Sequence, residues 1–421
     1  MITIEVDGGQ KIFSWCPTIE DGALKQMEAI AKLPFTKHCA LMPDSHLGKS
    51  MPIGGVVGLD DAIAPDMVGV DIGCGMASFR TSLKVGNVSD MLDTLHHAVE
   101  RSIPMGFSHN KLERSTKMEA LYGKCFQQVW NDLIISRGLG GSNAVAGFDK
   151  FFEQMGTLGG GNHFIEIQKD EEDTIWVMVH SGSRNAGKRI CDRYNEVASD
   201  LNATWRSATT VPFLPAQSSE GKDYIAWMNM ALEFAYLNRM AMLAEILQNL
   251  KHYFPDMQVT TKEIEGVEDD TINIHHNYAH LESHMGKNMW VHRKGATLAS
   301  DKTIGIIPGS MGSPSYIVRG LGNRMSLMSC SHGAGRRMGR KDFNVQNNTP
   351  EKLAEIKKAM EGITHTKFGK AGRGRDAGML DVSEAPQAYK DITEVMANQA
   401  DLVKPIVKLV PVINWKDCGE E

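Results

Sequence analysis

Few stretches of this chain combine residue types that do chemistry, and the most concentrated is Ser329-Cys330-Ser331-His332-Gly333-Ala334-Gly335-Arg336-Arg337. Glycines at 333 and 335 let a backbone approach a ligand where a Cβ would collide. The two arginines offer forked donors suited to phosphate. An imidazole in that setting can serve as a base, a metal ligand or a nucleophile towards phosphorus. Taken alone, Ser-His-Gly reads most simply as a polar turn, so the sharper reading depends on what else the chain supplies.

Four further loops put a metal-capable side chain at a strand end beside glycine or small polar residues. In Val70-Asp71-Ile72-Gly73-Cys74-Gly75-Met76, Asp71 and Cys74 converge on one ion if the Gly-Cys-Gly segment turns tightly. In Gly159-Gly160-Gly161-Asn162-His163-Phe164-Ile165-Glu166, alternation puts His163 and Ile165 on one face and Asn162, Phe164 and Glu166 on the other. His180-Ser181-Gly182-Ser183-Arg184 is a strand ending in a ligand-type histidine and an anion-binding turn ahead of a helix. The fourth loop is His275-His276-Asn277. Any one of fifteen histidines is more often structural than ligating. Four loops of like make-up are harder to dismiss. Asp71, Cys74, His163, His180 and one of His275 or His276 make a mixed O/S/N set. Ligand chemistry alone names zinc first and also permits manganese or iron. Five ligands exceed one tetrahedral site and suggest two ions sharing the thiolate.

Pro308-Gly309-Ser310-Met311-Gly312-Ser313-Pro314-Ser315 is small and hydroxyl-rich, fit for cradling phosphate with backbone N–H groups. It matches neither the Walker A pattern nor the dinucleotide fingerprint. Arg319, Arg324, Arg336, Arg337 and Arg340 follow closely. With His332 they describe a site for a phosphorylated substrate near a metal, and metal-dependent phosphoryl or nucleotidyl transfer is the matching reaction class.

The elements that must position these residues are mixed. A hairpin is expected over Ile2 to Val6 and Lys11 to Trp15, and a helix over Asp21 to Lys32. Short strands separated by glycine follow to Leu83, with residues 38–48 as a short apolar strand running into a polar loop. Helical insertions are expected at about 88–155 and 186–253, the latter from helices Ala186 to Trp205 and Tyr224 to Tyr253. Strands return at His163 to Gln168, Thr174 to His180, Ile272 to His275, Met289 to Thr297, Thr303 to Ile307 and Tyr316 to Arg319. Pro350 to Gly362 reads as a helix, and Tyr389 to Leu409 as largely helical. The expected class is α+β, one large domain over 1–421 with a strand-rich centre.

Composition sets outer bounds. The 421 residues are 42% hydrophobic and 23% charged with a net charge of -6, which argues against a generally basic nucleic-acid coat but not against a local basic groove. Seven scattered cysteines form no disulfide framework. With no secretory signal pattern at the N-terminus and no unbroken apolar run of membrane-spanning length, a cytoplasmic protein is expected.

Read together, the motifs resemble the RtcB family of RNA ligases, which join RNA 3′-phosphate or 2′,3′-cyclic phosphate ends to 5′-hydroxyl ends. The resemblance rests on Met42-Pro43-Asp44-Ser45-His46-Leu47-Gly48, Gly69 through Met76, Gly161 through Glu166, His180 through Arg184 and His276-Asn277. It continues through Ile307 to Gly312, Val318 to Asn323, Ser331 to Arg336 and Ala388 to Asp391, in family order. It implies that His332 takes GMP from GTP as a guanylyl-histidine, with Asp44 orienting the imidazole. It further implies two Mn2+ ions on Asp71, Cys74, His163, His180 and His276, with Cys74 bridging. Guanylate contacts are implied for Asn162 through Glu166, His276, Asn277, Pro308 through Met311, Ser315, His332 through Gly335 and Lys416. Arg184 is implied to meet RNA phosphate. A metal-dependent phosphohydrolase and a non-catalytic RNA-end-binding factor are the competing classes, and neither needs both His332 and guanine contacts.

Overall fold

The computed structural model describes residues 1–141, 144–203, 211–372 and 374–417. Two sheets supply the strand-rich centre. The first has six strands in the order Ile2–Ile4, Ile12–Ser14, Thr36–His46, Ile53–Leu59, Lys287–Lys294, Asn277–His284. The second runs Ile272–His275, Gly75–Lys84, Thr174–Ser181, Phe164–Lys169, Val403–Lys416, Ser315–Gly320, Ile304–Ile307, and Thr364–His365 pairs in parallel with its long strand. The chain crosses from the second sheet to the first at a single residue, His276, between the strands Ile272–His275 and Asn277–His284.

Register is what gathers the site. Across the second sheet Met76 pairs with His180, His180 with Phe164, and Phe164 with Lys416. One row further, His275 pairs with Gly75 and Gly75 with Ser181. Residues more than 300 positions apart in sequence are thereby fixed at one end of one sheet. A short ladder pairing Ala296 with Ser331 sets His332 beside Gly295 at the neighbouring edge.

The helical insertions pack behind this end. Helix Ser219–Tyr253 starts at Ser218, whose Oγ accepts the Gly221 N–H at 3.0 Å. About half of its residues are buried, because Leu112–Leu133 and Arg184–Leu201 pack on it and three strands of the second sheet lie against it. Trp130, Trp227, Phe126, Phe151 and Phe234 fill the space between these helices. Its methionines 228, 230 and 242 are buried among apolar neighbours, as gap-filling side chains. Among the described residues no helix is long and apolar enough to cross a membrane.

Several expected bounds shift. The polar loop expected within residues 38–48 is instead the end of strand Thr36–His46, with an irregularity between Leu41 and His46. The region 67–83 opens with a helical turn, Pro65–Val68, before strand Gly75–Lys84. Strand Asn277–His284 was not expected; its polar outward face hides the alternation, and a tight turn at Met285 and Gly286, both with positive φ, pairs it with Lys287–Lys294. The helix expected over Tyr389 to Leu409 is only Ile392–Asn398, followed by strand Val403–Lys416. Pro405 and Pro411 bar a helix there, and the buried and exposed positions alternate with strand period. The helix from residue 186 runs Arg184–Leu201; its expected end at Trp205 lies outside the described residues.

Candidate active site

Five side chains of the expected metal set meet at the sheet end. Cys74 Sγ lies 3.4 Å from His163 Nε2 and 3.2 Å from His180 Nε2. His180 Nε2 is 2.9 Å from His276 Nε2, and His163 Nε2 is 2.9 Å from Asp71 Oδ2. The donors fall into two groups that share the thiol: Cys74, His180, His276 and Asp71, Cys74, His163. The open choice between adjacent histidines resolves to His276. His275 turns the other way, its Nδ1 lying 3.0 Å from Gly73 O and 3.1 Å from Arg239.

The far side of two rings fixes where a hydrogen sits. His163 Nδ1 donates to Leu158 O at 2.9 Å, and His180 Nδ1 to Asn162 O at 3.1 Å. A carbonyl only accepts, so each Nδ1 carries a hydrogen, and a neutral ring then presents its lone pair at Nε2. Burial and the neighbouring His163 hold His180 well below the usual imidazole range; burial, His332 and His180 do the same to His276. The Nε2 lone pairs of His180 and His276 thus face one another at 2.9 Å, beside the Cys74 sulfur. A divalent cation relieves that arrangement, and the residues fit one or two such ions. Burial and Asp71 raise the Cys74 thiol well above its ordinary value, so a cation there must displace a proton. Burial works against the Asp71 carboxylate, but His163 prevails and brings it down to about 2.

His332 adjoins this cluster, its ring centroid 4.8 Å from that of His276. Its Nδ1 donates to Asp44 Oδ2 at 2.7 Å, and the same oxygen accepts the His332 backbone N–H at 3.2 Å. Asp44 is fully buried on the end of its strand. The pair leaves Nε2 of His332 as the lone-pair nitrogen. Gly335, at φ +73, allows this approach: a Cβ there would lie 2.4 Å from Asp44 O.

His332 lines a cavity of about 270 Å³ together with Asn162, Phe164, Glu166, His276, Asn277, Pro308 through Met311, Gly333 through Gly335 and Lys416. Ile165 faces the opposite side of its strand and is buried in the helix-side core. Ser315 lies beneath the 308–311 loop, its Oγ taken by Gly309 N and Gln168 Nε2. At the cavity wall, burial pushes Glu166 up to about 8, against the donors Asn414 and Gln168. Across from it Glu384 binds Lys416 at 3.0 Å, Arg336 at 3.1 Å and Arg340 at 2.7 Å. Burial opposes the charge on Glu384, but Lys416 and the two arginines hold it at about 2.

The row of arginines expected to bind phosphate does not assemble as such. Arg319 pairs with Glu265, and Arg337 is exposed away from the cavity. Arg336 and Arg340 line the cavity, but their forks are already engaged by Glu384. Arg184 lies outside the cavity lining, donating to Thr157 Oγ1 at 3.2 Å and Gly106 O at 3.1 Å.

Residues not singled out from sequence complete the site. Lys294 lines the cavity and donates to Asp66 O at 2.9 Å. Asn238, fully buried in the long helix, accepts from Gly156 N at 2.7 Å and donates to Ser181 Oγ and Gly182 O, each at 3.2 Å. It fixes the turns on either side of His163 and His180.

Residues 26–417 match the family described as tRNA-splicing ligase RtcB. The RNA-splicing ligase RtcB of Escherichia coli K12 is 37% identical over 419 residues, covering 94% of each chain. The tRNA-splicing ligase RtcB of Archaeoglobus fulgidus is 30% identical over 465 residues, covering 94% of this chain and 91% of the relative. That of Thermococcus kodakarensis is 29% identical, covering 93% and 90%. A buried O/S/N cluster, an imidazole oriented by a carboxylate beside it, and sequence likeness over nearly the whole length agree: the chain belongs to the RtcB family of RNA-splicing ligases.

Proposed function

We propose that the protein is a GTP- and manganese-dependent enzyme that joins an RNA 3′-phosphate or 2′,3′-cyclic phosphate end to a 5′-hydroxyl end, in tRNA splicing or RNA repair. The observation that carries this is the His332–Asp44 pair, 2.7 Å apart, set against the His276 edge of the ligand cluster on the cavity of about 270 Å³.

His332 Nε2 attacks the α-phosphorus of GTP. A P–N bond forms, the bond from that phosphorus to the bridging oxygen breaks, and pyrophosphate leaves. Asp44 accepts the Nδ1 hydrogen bond throughout, holding the ring and favouring the positive charge that develops on it. The GMP then passes to an oxygen of the RNA 3′-phosphate, returning the imidazole to its free form. The 5′-hydroxyl attacks the RNA phosphorus, and GMP departs. A cyclic phosphate is opened first by water. Two manganese ions on Asp71, Cys74, His163, His180 and His276, sharing the Cys74 thiolate, would neutralise charge on the phosphate oxygens. Arg184 is assigned to RNA phosphate.

In the cavity, Glu166 offers a carboxyl to the guanine N–H edge and Lys416 a donor to its carbonyl oxygen. The turn 308–311 and the backbone at 333–335 would hold the ribose and phosphate. Water as the sole nucleophile, as in a phosphohydrolase, would leave His332 and its Asp44 partner without a task, and family membership supports the ligase.

The test is to mix a 3′-phosphate RNA and a 5′-hydroxyl RNA with GTP and Mn2+. The expected product is a joined strand that retains the junction phosphate and requires GTP. Strands that are only dephosphorylated, with or without GTP, would contradict the proposal and return the phosphohydrolase.

A further inference from the structure

Helix Ser219–Tyr253 carries one arginine that is completely buried, Arg239. Its guanidinium donates to Gly73 O at 2.8 Å and Ser181 O at 2.9 Å through Nη1, and to Asn273 Oδ1 at 2.7 Å through Nε. Its Nη2 meets His275 Nδ1 at 3.1 Å. Among the described residues it makes no ion pair with a carboxylate. A buried guanidinium in that state is costly, and an apolar side chain of like volume would pack there more cheaply. The compensation is geometric, because each segment it grips ends on a residue of one ligand group: Gly73 precedes Cys74, Ser181 follows His180, and His275 precedes His276.

We propose that Arg239 is a positioning residue for the metal centre, one planar fork that holds the three chain segments bearing Cys74, His180 and His276 at a common spacing. The inference rests on the metal reading of the cluster given above.

Three features make the clamp necessary. The segments come from separate strands, and the Gly73–Cys74 connection lies just outside the strand ladder that begins at Gly75. Gly73 sits at φ +72 with a Cβ position 2.8 Å from Ala235 of the same helix, so the turn is pressed against the helix yet has no side chain of its own to anchor it. Its carbonyl accepts from Arg239 Nη1 at 2.8 Å, with His275 Nδ1 beside it at 3.0 Å. A lysine carries the same charge on a single nitrogen and cannot span three acceptors in fixed directions. The fork itself is what the site requires.

The experiment uses the full-length protein stripped of metal and titrated with Co2+, whose thiolate charge-transfer and ligand-field bands report the Cys74 geometry directly. Arg239→Lys is expected to unfold cooperatively in chelator, to bind Co2+ and Mn2+ about 10- to 100-fold more weakly, and to shift the ligand-field bands. Its nucleotide transfer should recover at saturating metal, showing a change in metal requirement more than in turnover. Asn273→Ala removes one acceptor at a half-buried position and is expected to weaken Co2+ binding a few-fold. That variant decides the matter if Arg239→Lys does not fold. Wild-type affinity and spectra in both variants would overturn the clamp alone. A wild-type protein with no thiolate–cobalt band would remove the metal reading and the clamp with it.

Discussion

The ligand cluster and the His332 pair lie side by side but are built in opposite ways. Asp71, Cys74, His163, His180 and His276 come from four separate loops and are held by sheet register, with every ring oriented from behind by a carbonyl or amide oxygen. His332 depends on one loop and one partner, Asp44, and its remaining nitrogen is left to the cavity. On the proposed function, a cluster that binds a fixed ion tolerates no play, and its geometry is distributed through the core. A group that forms and breaks a bond needs freedom on one side, and a single buried carboxylate suffices to orient it.

If that contrast holds, damage to the cluster should be general and damage to the pair selective. The largest effect is expected from Cys74→Ala, which removes the ligand common to both donor groups. Metal binding and transfer of GMP to the protein should fall together to background; GMP transfer without bound metal would refute the shared thiolate. Asp44→Asn should keep metal affinity near wild type while slowing GMP transfer by roughly 10²- to 10⁴-fold, as when a triad acid is neutralised. Equal loss of both in that variant would erase the distinction between the regions.

A third variant probes the opposite wall. Glu384 is held at about 2, below the ordinary carboxylate range. Its contribution is therefore present above the unfolded value and lost as pH falls through the folded one. Glu384→Gln leaves Lys416 and Arg336 charged and buried, at a cost of about 3 kcal/mol in urea unfolding at neutral pH. The smallest effect is a slope. Because the Cys74 thiol is pushed up by burial and must lose its proton to bind a cation, apparent metal affinity should rise by up to about tenfold per pH unit through neutrality. His180 and His276 are pushed down and already neutral there, so they add nothing to that slope. Cobalt titrations at several pH values, with proton release followed in weak buffer, check it.

The cluster was largely legible in the chain, because a cysteine between glycines and histidines at strand ends have few structural uses in common. Residue types alone left His275 and His276 open, since the chain changes sheets at that point and pairing decides the side; the family resemblance pointed to His276. Proximity in sequence misled where Arg319 and Arg337 seemed to join a phosphate site, because a strand and a turn carry them to other faces. Residues 403–409 of strand Val403–Lys416 read as helix although Pro405 forbids one, and the pairing that places Lys416 opposite Phe164 was not legible. Asn238 and Arg239 gave no sequence signal: a polar pair among methionine and alanine looks like the wet face of a helix, and only burial shows otherwise.

The central claim is that His332 carries GMP. Incubating the protein with α-labelled GTP and Mn2+ and resolving it under denaturing conditions tests this without any RNA. An acid-labile, base-stable label on the wild type and none on His332→Ala is the predicted result. A wild type that stays unlabelled across several divalent metals, or a His332→Ala variant labelled as strongly as wild type, would contradict it.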